Sequence, residues 1–364
     1  MQYLLPALSL FLCSATLSGQ DTQIYNSEAP EPVRIWHRVG DVSHGLQSVE
    51  AAEFSPDGSL AVSGGKFGYK VMLWRVADGT LLWEAAHESE VECVTFSPDG
   101  KRIATGGEDY FIRVWDVQTG EQLHAMEMTE AGFDGITWSP DGRYIVGGDE
   151  AGNAVFFDAE TYAETDRINC GSTINSLDFT ADGLHLLVGG NIQTPDPAGP
   201  GGNRYTGFAK IIDMGTREVM LDIGEQPGSI KSVRYSADEA LFATGGFDNA
   251  ARIFDARTGE LVRTFVNPLK IEAVAFTPDG QYLATGGHEH AVSFYRLSDG
   301  ELALKLPTAR VEYIDFTDNS RMMLTGHEDS GLLSCYLFQS NTQTRGNYQQ
   351  VADKQLNNRD LKQN

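Results

Sequence analysis

Two short runs of metal-ligating side chains stand out in the 364-residue sequence: His288-Glu289-His290 and His327-Glu328-Asp329. Residues i and i+2 of an extended chain point to the same side, so His288 and His290 could offer two imidazoles to one zinc or copper ion. A neighbouring segment would have to supply the remaining ligands. His-Glu occurs a third time at His87, but the residues four after the three histidines are Val91, Val292 and Gly331, so no HExxH metalloprotease spacing exists. The sequence also has no G-x-S-x-G elbow, GxGxxG turn, phosphate-binding P-loop, EF-hand loop or CxxCH haem site. Cys93, Cys170 and Cys335 follow Cys13 without any CxxC pair, and their types and spacing read as buried small hydrophobes rather than a zinc or redox site.

Charge narrows the partners. With 27 Lys and Arg against 51 Asp and Glu, the formal net charge of −24 repels phosphate, so neither nucleic acid nor an anionic membrane surface is an expected partner. Acidic pairs are too numerous to single one out as catalytic, and most read as solvated surface. The first 20 residues carry no charged side chain. Residues 4–15 are apolar but too short to span a bilayer, and small residues follow, which reads as a secretory signal cleaved after Ala15, Ser18 or Gly19. The expected location is therefore secreted or periplasmic, with the cytoplasm as the alternative. No later run is long and apolar enough for a transmembrane helix.

Any site must be positioned by the elements around it, and these repeat. An aromatic-Ser-Pro-Asp-Gly phrase begins at Phe54, Phe96 and Trp138, with weaker copies at Phe179, Tyr235, Phe276 and Phe316. Seven copies spaced about 41 residues apart, with one interval of about 56, define a repeat of about 40–45 residues. Ser suits the first position of a type I turn, Pro fixes φ at the second and Gly fits the fourth, so each copy predicts a hairpin turn between two strands. In the second copy the apolar runs predict four strands, apolar on both faces as in sheets packed between neighbours.

These marks resemble the WD-repeat β-propellers across about residues 33–338. The matching residues are the SPDG phrases, the Ala-Thr-Gly-Gly segments at Ala104, Ala243 and Ala284, and Val114-Trp115-Asp116. His87 falls at the family's histidine position, Asp109 and Asp248 at its loop aspartate, and Trp74 and Trp115 at its tryptophan. The family's His–Asp–Ser/Thr–Trp network would then be complete only in the second blade. The resemblance implies an all-β, seven-bladed propeller of four-stranded antiparallel blades. Residues 33–39 read as the fourth strand that the last repeat lacks, closing the ring and covering an edge. Residues 339–364, rich in Gln and Asn, read as a disordered tail.

The long interval carries the most information about function. Residues 191–207 hold Pro195, Pro197, Pro200 and a cluster of glycines, which predicts an irregular loop. In the resembling family that edge is the face most used for partners. Equivalent loops elsewhere bring Phe67 and Tyr69, Tyr110, Asp149 and Glu150, Arg204 and Tyr205, Phe247, and His288, His290 and His327. Glu289 and Asp329 align with the family's structural aspartate, so no metal or other cofactor is expected. These features point to an exported, monomeric, non-catalytic platform that binds a protein or peptide. The alternative is a hydrolase or lyase using carboxylates or a metal at the channel mouth.

Overall fold

The computed structural model describes residues 32–39, 48–66, 68–127, 131–318 and 321–338. The expected leader over residues 1–20, Phe67 and residues 339–364 lie outside them. The described chain is all-β and forms seven four-stranded antiparallel blades. Blade 1 runs through Val49–Phe54, Leu60–Gly65, Lys70–Arg75 and Thr80–Ala86, and the pattern repeats to blade 7. The first strand of each blade packs against the first strand of the next, and that of blade 7 (Val311–Phe316) against that of blade 1, so the seven inner strands ring a central channel.

The repeated phrase makes the turn its residues dictate. In blade 1, Gly58 N donates to Ser55 O at 2.7 Å, Ser55 Oγ donates to Asp57 Oδ1 at 2.6 Å, and Leu60 N donates back to Ser55 Oγ at 2.9 Å. Gly58 sits at φ 69°, a left-handed conformation that only glycine adopts without strain. Buried side chains fill the space between successive blades. Val62, Leu73, Val91, Val94 and Trp115, for example, form one cluster spanning blades 1 and 2. The inner strands are therefore apolar on both faces, whereas outer strands such as Gln122–Glu127 and Glu164–Asn169 are largely exposed and polar.

The fourth strand of blade 7 is Pro32–Val39, which runs antiparallel to Leu332–Phe338 with Val39 opposite Leu332 and Pro32 opposite Phe338. Deleting residues 21–40 leaves the apolar strand LLSCYLF as a bare edge, so we expect aggregation and a melting temperature lower by about 10 °C. Gel filtration and thermal melting check this, and a monomeric truncation with an unchanged melt would refute closure by this strand.

The insertion in blade 4 departs from the irregular loop expected over 191–207. The second and third strands extend to His185–Pro195 and Asn203–Asp213, paired without interruption from His185↔Asp213 to Pro195↔Asn203. Only residues 196–202 form the tip, so the insertion is a β-hairpin arm. The prolines and glycines gather at that tip, while Ile192, Thr194, Tyr205 and Thr206 suit strands. The short strand Gln226–Pro227, in the connection to blade 5, pairs with Gly207 and props the base of the arm.

Candidate functional site at the channel mouth

In every blade the pairing of the first two strands slips by one residue near the start of the inner strand. The bulged residue is Glu50, Glu92, Asp134, Asn175, Lys231, Glu272 or Glu312 in blades 1 to 7, and all seven line one cavity of about 100 Å³. A bulge re-aims its side chain out of the sheet, which is how seven strand residues come to face the channel. The ring therefore holds five carboxylates, one ammonium and one amide. Burial pushes the Glu92 and Glu312 carboxyls up to about 9, with repulsion from Glu50 adding to Glu92 and repulsion from Glu272 and Glu50 to Glu312. Burial likewise raises Glu50 and Asp134.

The loops joining second and third strands reach this mouth. His288 Nε2 lies 2.8 Å from Glu272 Oε1. Phe247 stands over Lys270 at 4.1 Å and near Lys231 at 5.8 Å. Arg310, from the connection into blade 7, pairs with Glu272, with Glu312 at 3.0 Å and with Glu328. Tyr69 and Tyr110 are 41% and 47% exposed, each with positive φ at the equivalent place in its blade. Glu150 and His290 are exposed, as are Arg204 and Tyr205 on the hairpin arm.

Two residues read as exposed loop positions lie inside instead. His327 is 0% exposed, its Nε2 2.9 Å from Thr325 Oγ1 and 3.3 Å from Thr308 Oγ1. It ends the second strand of blade 7, where the other repeats place glycine or Asp149, and its ring turns inward for a hydroxyl partner. Asp149 is 1% exposed because it caps its own tight turn, accepting from Asn153 N at 2.7 Å. The three histidines do not converge: His288 is held by Glu272, His290 faces Asp329 at 3.5 Å, and His327 is buried.

A second charged layer lies deeper in the channel. Arg234 donates to Tyr313 Oη at 2.7 Å and to Ser176 Oγ at 3.1 Å, and its charge acts on Glu53, Asp178 and Asp315. Each of those carboxylates accepts a backbone N–H from the next blade: Asp315 from Phe54 at 2.8 Å, Glu53 from Phe96 at 2.9 Å, and Asp178 from Tyr235 at 2.7 Å. They tie inner strands together. Burial, with Asp315 repulsion, pushes Glu53 up to about 8, and burial lifts Asp178 and Asp315 to about 6.

Blade 2 contains the four-residue polar network. Trp115 Nε1 donates to Thr105 Oγ1 at 2.8 Å, His87 Nε2 lies 2.8 Å from that hydroxyl, and His87 Nδ1 lies 3.2 Å from Asp109 Oδ2. Arg113 Nη1 completes the group, 3.0 Å from His87 Nδ1 and 2.5 Å from Asp109 Oδ2. In blade 1 Trp74 Nε1 donates to Ser63 Oγ at 2.9 Å, and in blade 5 Asp248 pairs with Arg252. Blade 6 builds an equivalent network from other side chains. Asn267 donates to Thr285 Oγ1 at 3.1 Å, and Tyr295 Oη donates to Asn267 Oδ1 at 2.9 Å. Asn267 stands four residues before Ile271, as His87 does before Val91, which is the spacing that marks it in the sequence.

Three segments, residues 79–116, 221–255 and 259–296, match the family model for the WD domain, G-beta repeat. A search of the curated proteins finds no match to the chain. Each matched segment takes the outer strand of one blade and the three inner strands of the next. Pro32–Val39 bears the same offset relation to blade 7. With three matched repeats and seven four-stranded blades around one channel, the chain is a WD-repeat β-propeller.

Proposed function

We propose that this propeller is an exported, non-catalytic platform that binds a protein or peptide across its loop-bearing face. The observation that carries the reading is the hairpin arm of blade 4, a paired projection standing on the same side as the exposed Tyr69, Tyr110 and Glu150. A paired arm on a closed ring is ordered before its partner arrives, which lowers the entropic cost of binding. The WD-repeat family supports protein partners, and among the described residues no helix is long and apolar enough to cross a membrane. The ring of inward carboxylates favours the second reading, an enzyme working at the channel mouth. Against it, Glu50, Glu92, Asp134 and Glu312 are all moved upward, whereas an acid–base pair needs two groups pushed apart.

The test removes the arm without opening the blade. Gly190 pairs directly with Phe208, so residues 191–207 can be replaced by Asn-Gly, a two-residue hairpin turn. The expected result is an unchanged melt and the loss of a partner captured by the intact protein from the source's envelope fraction. A partner retained by both forms would remove the arm from the interface. Intact mass of the exported product tests the leader, with cleavage after residue 15, 18 or 19 expected.

A further inference from the structure

The outer strand of each blade ends its sheet, and most of these edges are guarded. Those of blades 2 and 3, Gln122–Glu127 and Glu164–Asn169, expose mainly Gln, His, Glu, Thr, Arg and Asn. In blade 1 Glu84 pairs with Lys70 on the next strand, and in blade 6 Leu302–Pro307 is largely buried. Charge on an edge strand keeps other strands from adding to it. The outer strand of blade 5, Leu261–Val266, lacks that protection. Leu261, Val262 and Val266 are 55%, 55% and 76% exposed, and its one charged side chain, Arg263, lies against Gly300 of blade 6.

The patch continues beyond the strand. Val219 and Met220 are exposed on the outer strand of blade 4, which meets blade 5 where a Cβ on Gly259 would stand 2.9 Å from Leu221 Cδ1, and Leu269 is exposed in the connection that follows. These six are half of the twelve large apolar or aromatic side chains exposed among the described residues. Their fractional exposures sum to on the order of 500 Å², the size of the largest patch on a typical monomer and one that marks an interaction site. Two such patches hide on the order of 1,000 Å², the lower bound for a specific association. Charge permits the contact as well. Residues 257–270 carry Arg257, Arg263 and Lys270 against Glu260 alone, so two copies of a chain of net charge −24 can meet here without opposed carboxylates.

Backbone geometry selects the partner. Asn267 N donates to Asn249 O at 2.8 Å, so position 267 faces the neighbouring strand. Amide groups alternate along a strand, so Phe265 also faces inward, while Thr264 and Val266 direct theirs to the side where no strand pairs. A second copy of this strand fits those positions. With Thr264 opposite Thr264 in an antiparallel pair, Val266 of each copy stands beside Val262 of the other, and Arg263 meets Phe265 rather than a second arginine. We propose that the outer strand of blade 5 is a homodimer interface, paired with the same strand of a second copy across a twofold axis at Thr264. The contact lies on the outer rim of the ring, and it stands or falls separately from the partner-binding reading of the hairpin arm.

Sedimentation velocity of the full chain from about 1 to 200 µM tests it. A reversible monomer–dimer equilibrium is expected, with a dissociation constant weaker than about 1 µM because the area is small. The dimer fraction should rise between about 0.15 and 0.5 M salt, as the repulsion of two acidic chains is screened. Val266→Lys should weaken the dimer tenfold or more with an unchanged melt, since the side chain is 76% exposed. Thr264→Cys should form a disulfide-linked dimer under mild oxidation, because directly paired Cα atoms about 5.5 Å apart lie within the range a disulfide spans. The unmodified protein, whose Cys93, Cys170 and Cys335 are buried, is the reference. A monomer at every concentration, or a dimer of wild-type strength in Val266→Lys, would overturn the proposal. A monomer whose Val266→Lys form loses a partner held by the intact protein would overturn it too, and would give the edge to a strand of another protein.

Discussion

Replacing Arg234 with methionine is expected to cost about 3–5 kcal/mol of stability, the largest loss from any single channel residue. Among the described residues the guanidinium is the one cation whose charge acts on all three carboxylates of the deep layer. Without it, Asp178 and Asp315, and Glu53 as it ionises near pH 8, lose their counter-charge, Tyr313 Oη loses its donor, and Ser176 Oγ keeps only that from Val233 N. The same carboxylates hold backbone N–H groups of neighbouring blades, so their repulsion acts on three blade junctions at once. Urea unfolding at neutral pH measures the loss as a shift of the midpoint. Arg234→Lys should recover only part of it, because one ammonium cannot bridge Tyr313 and Ser176 in the manner of a planar fork. A midpoint within about 0.5 kcal/mol of wild type for Arg234→Met would show that the layer does not hold the blades.

Stability should fall as pH rises from about 5 to 9, by about 5–10 °C in melting temperature. The sign follows from the direction of the shifts. Glu53 at about 8, Asp178 and Asp315 at about 6, and Glu92 and Glu312 at about 9 all lie above their unfolded values. The folded protein therefore keeps protons that the unfolded chain releases above about pH 4–4.5, and this contribution is lost as pH climbs through the folded values. The turn aspartates act in the opposite sense. Hydrogen bonds from Ser55 and Ser59 hold Asp57 below the usual carboxylate range, and the Ser97 hydroxyl does the same for Asp99, so their contribution disappears below about pH 4. The optimum then lies near pH 5. Net charge pulls in the same direction on the alkaline side, so the decisive comparison is Glu53→Gln, which should flatten the slope between pH 6 and 9. A slope identical to wild type in that variant would assign the effect to overall charge alone.

The two experiments also separate from each other. Acid protonates the carboxylates that Arg234 balances, so the cost of Arg234→Met should shrink between pH 8 and pH 5.

The repeat, its four strands and the turn that joins the first two strands of each blade were legible in the sequence, and the resemblance to the WD-repeat family implied the seven-bladed propeller. These depend on local causes that recur along the chain: a Ser or Thr hydroxyl bonds the Asp two residues on in the turns of blades 1 to 6, and an apolar run on either side leaves only a strand packed between sheets. The resemblance to the family also implied that His87, Asp109 and Trp115 share one network, which blade 2 builds through Thr105. The tertiary structure alone decided which side chains share the channel. Glu50, Glu92, Asp134, Lys231, Glu272 and Glu312 are about 40 residues apart or more, and nothing in any one repeat distinguishes them from solvated surface charge. A one-residue bulge turns each inward, and only closure of the ring sets them against one another. The arm of blade 4 differs from the loop expected for a related reason. Its prolines and glycines describe the tip, whereas pairing over Asn191–Gly207 is fixed by the register that the blade beneath imposes. His327 followed the same rule: beside Glu328 and Asp329 it has the composition of a surface loop, yet the hydroxyls of Thr325 and Thr308, which only the folded blade brings to it, hold the ring inside.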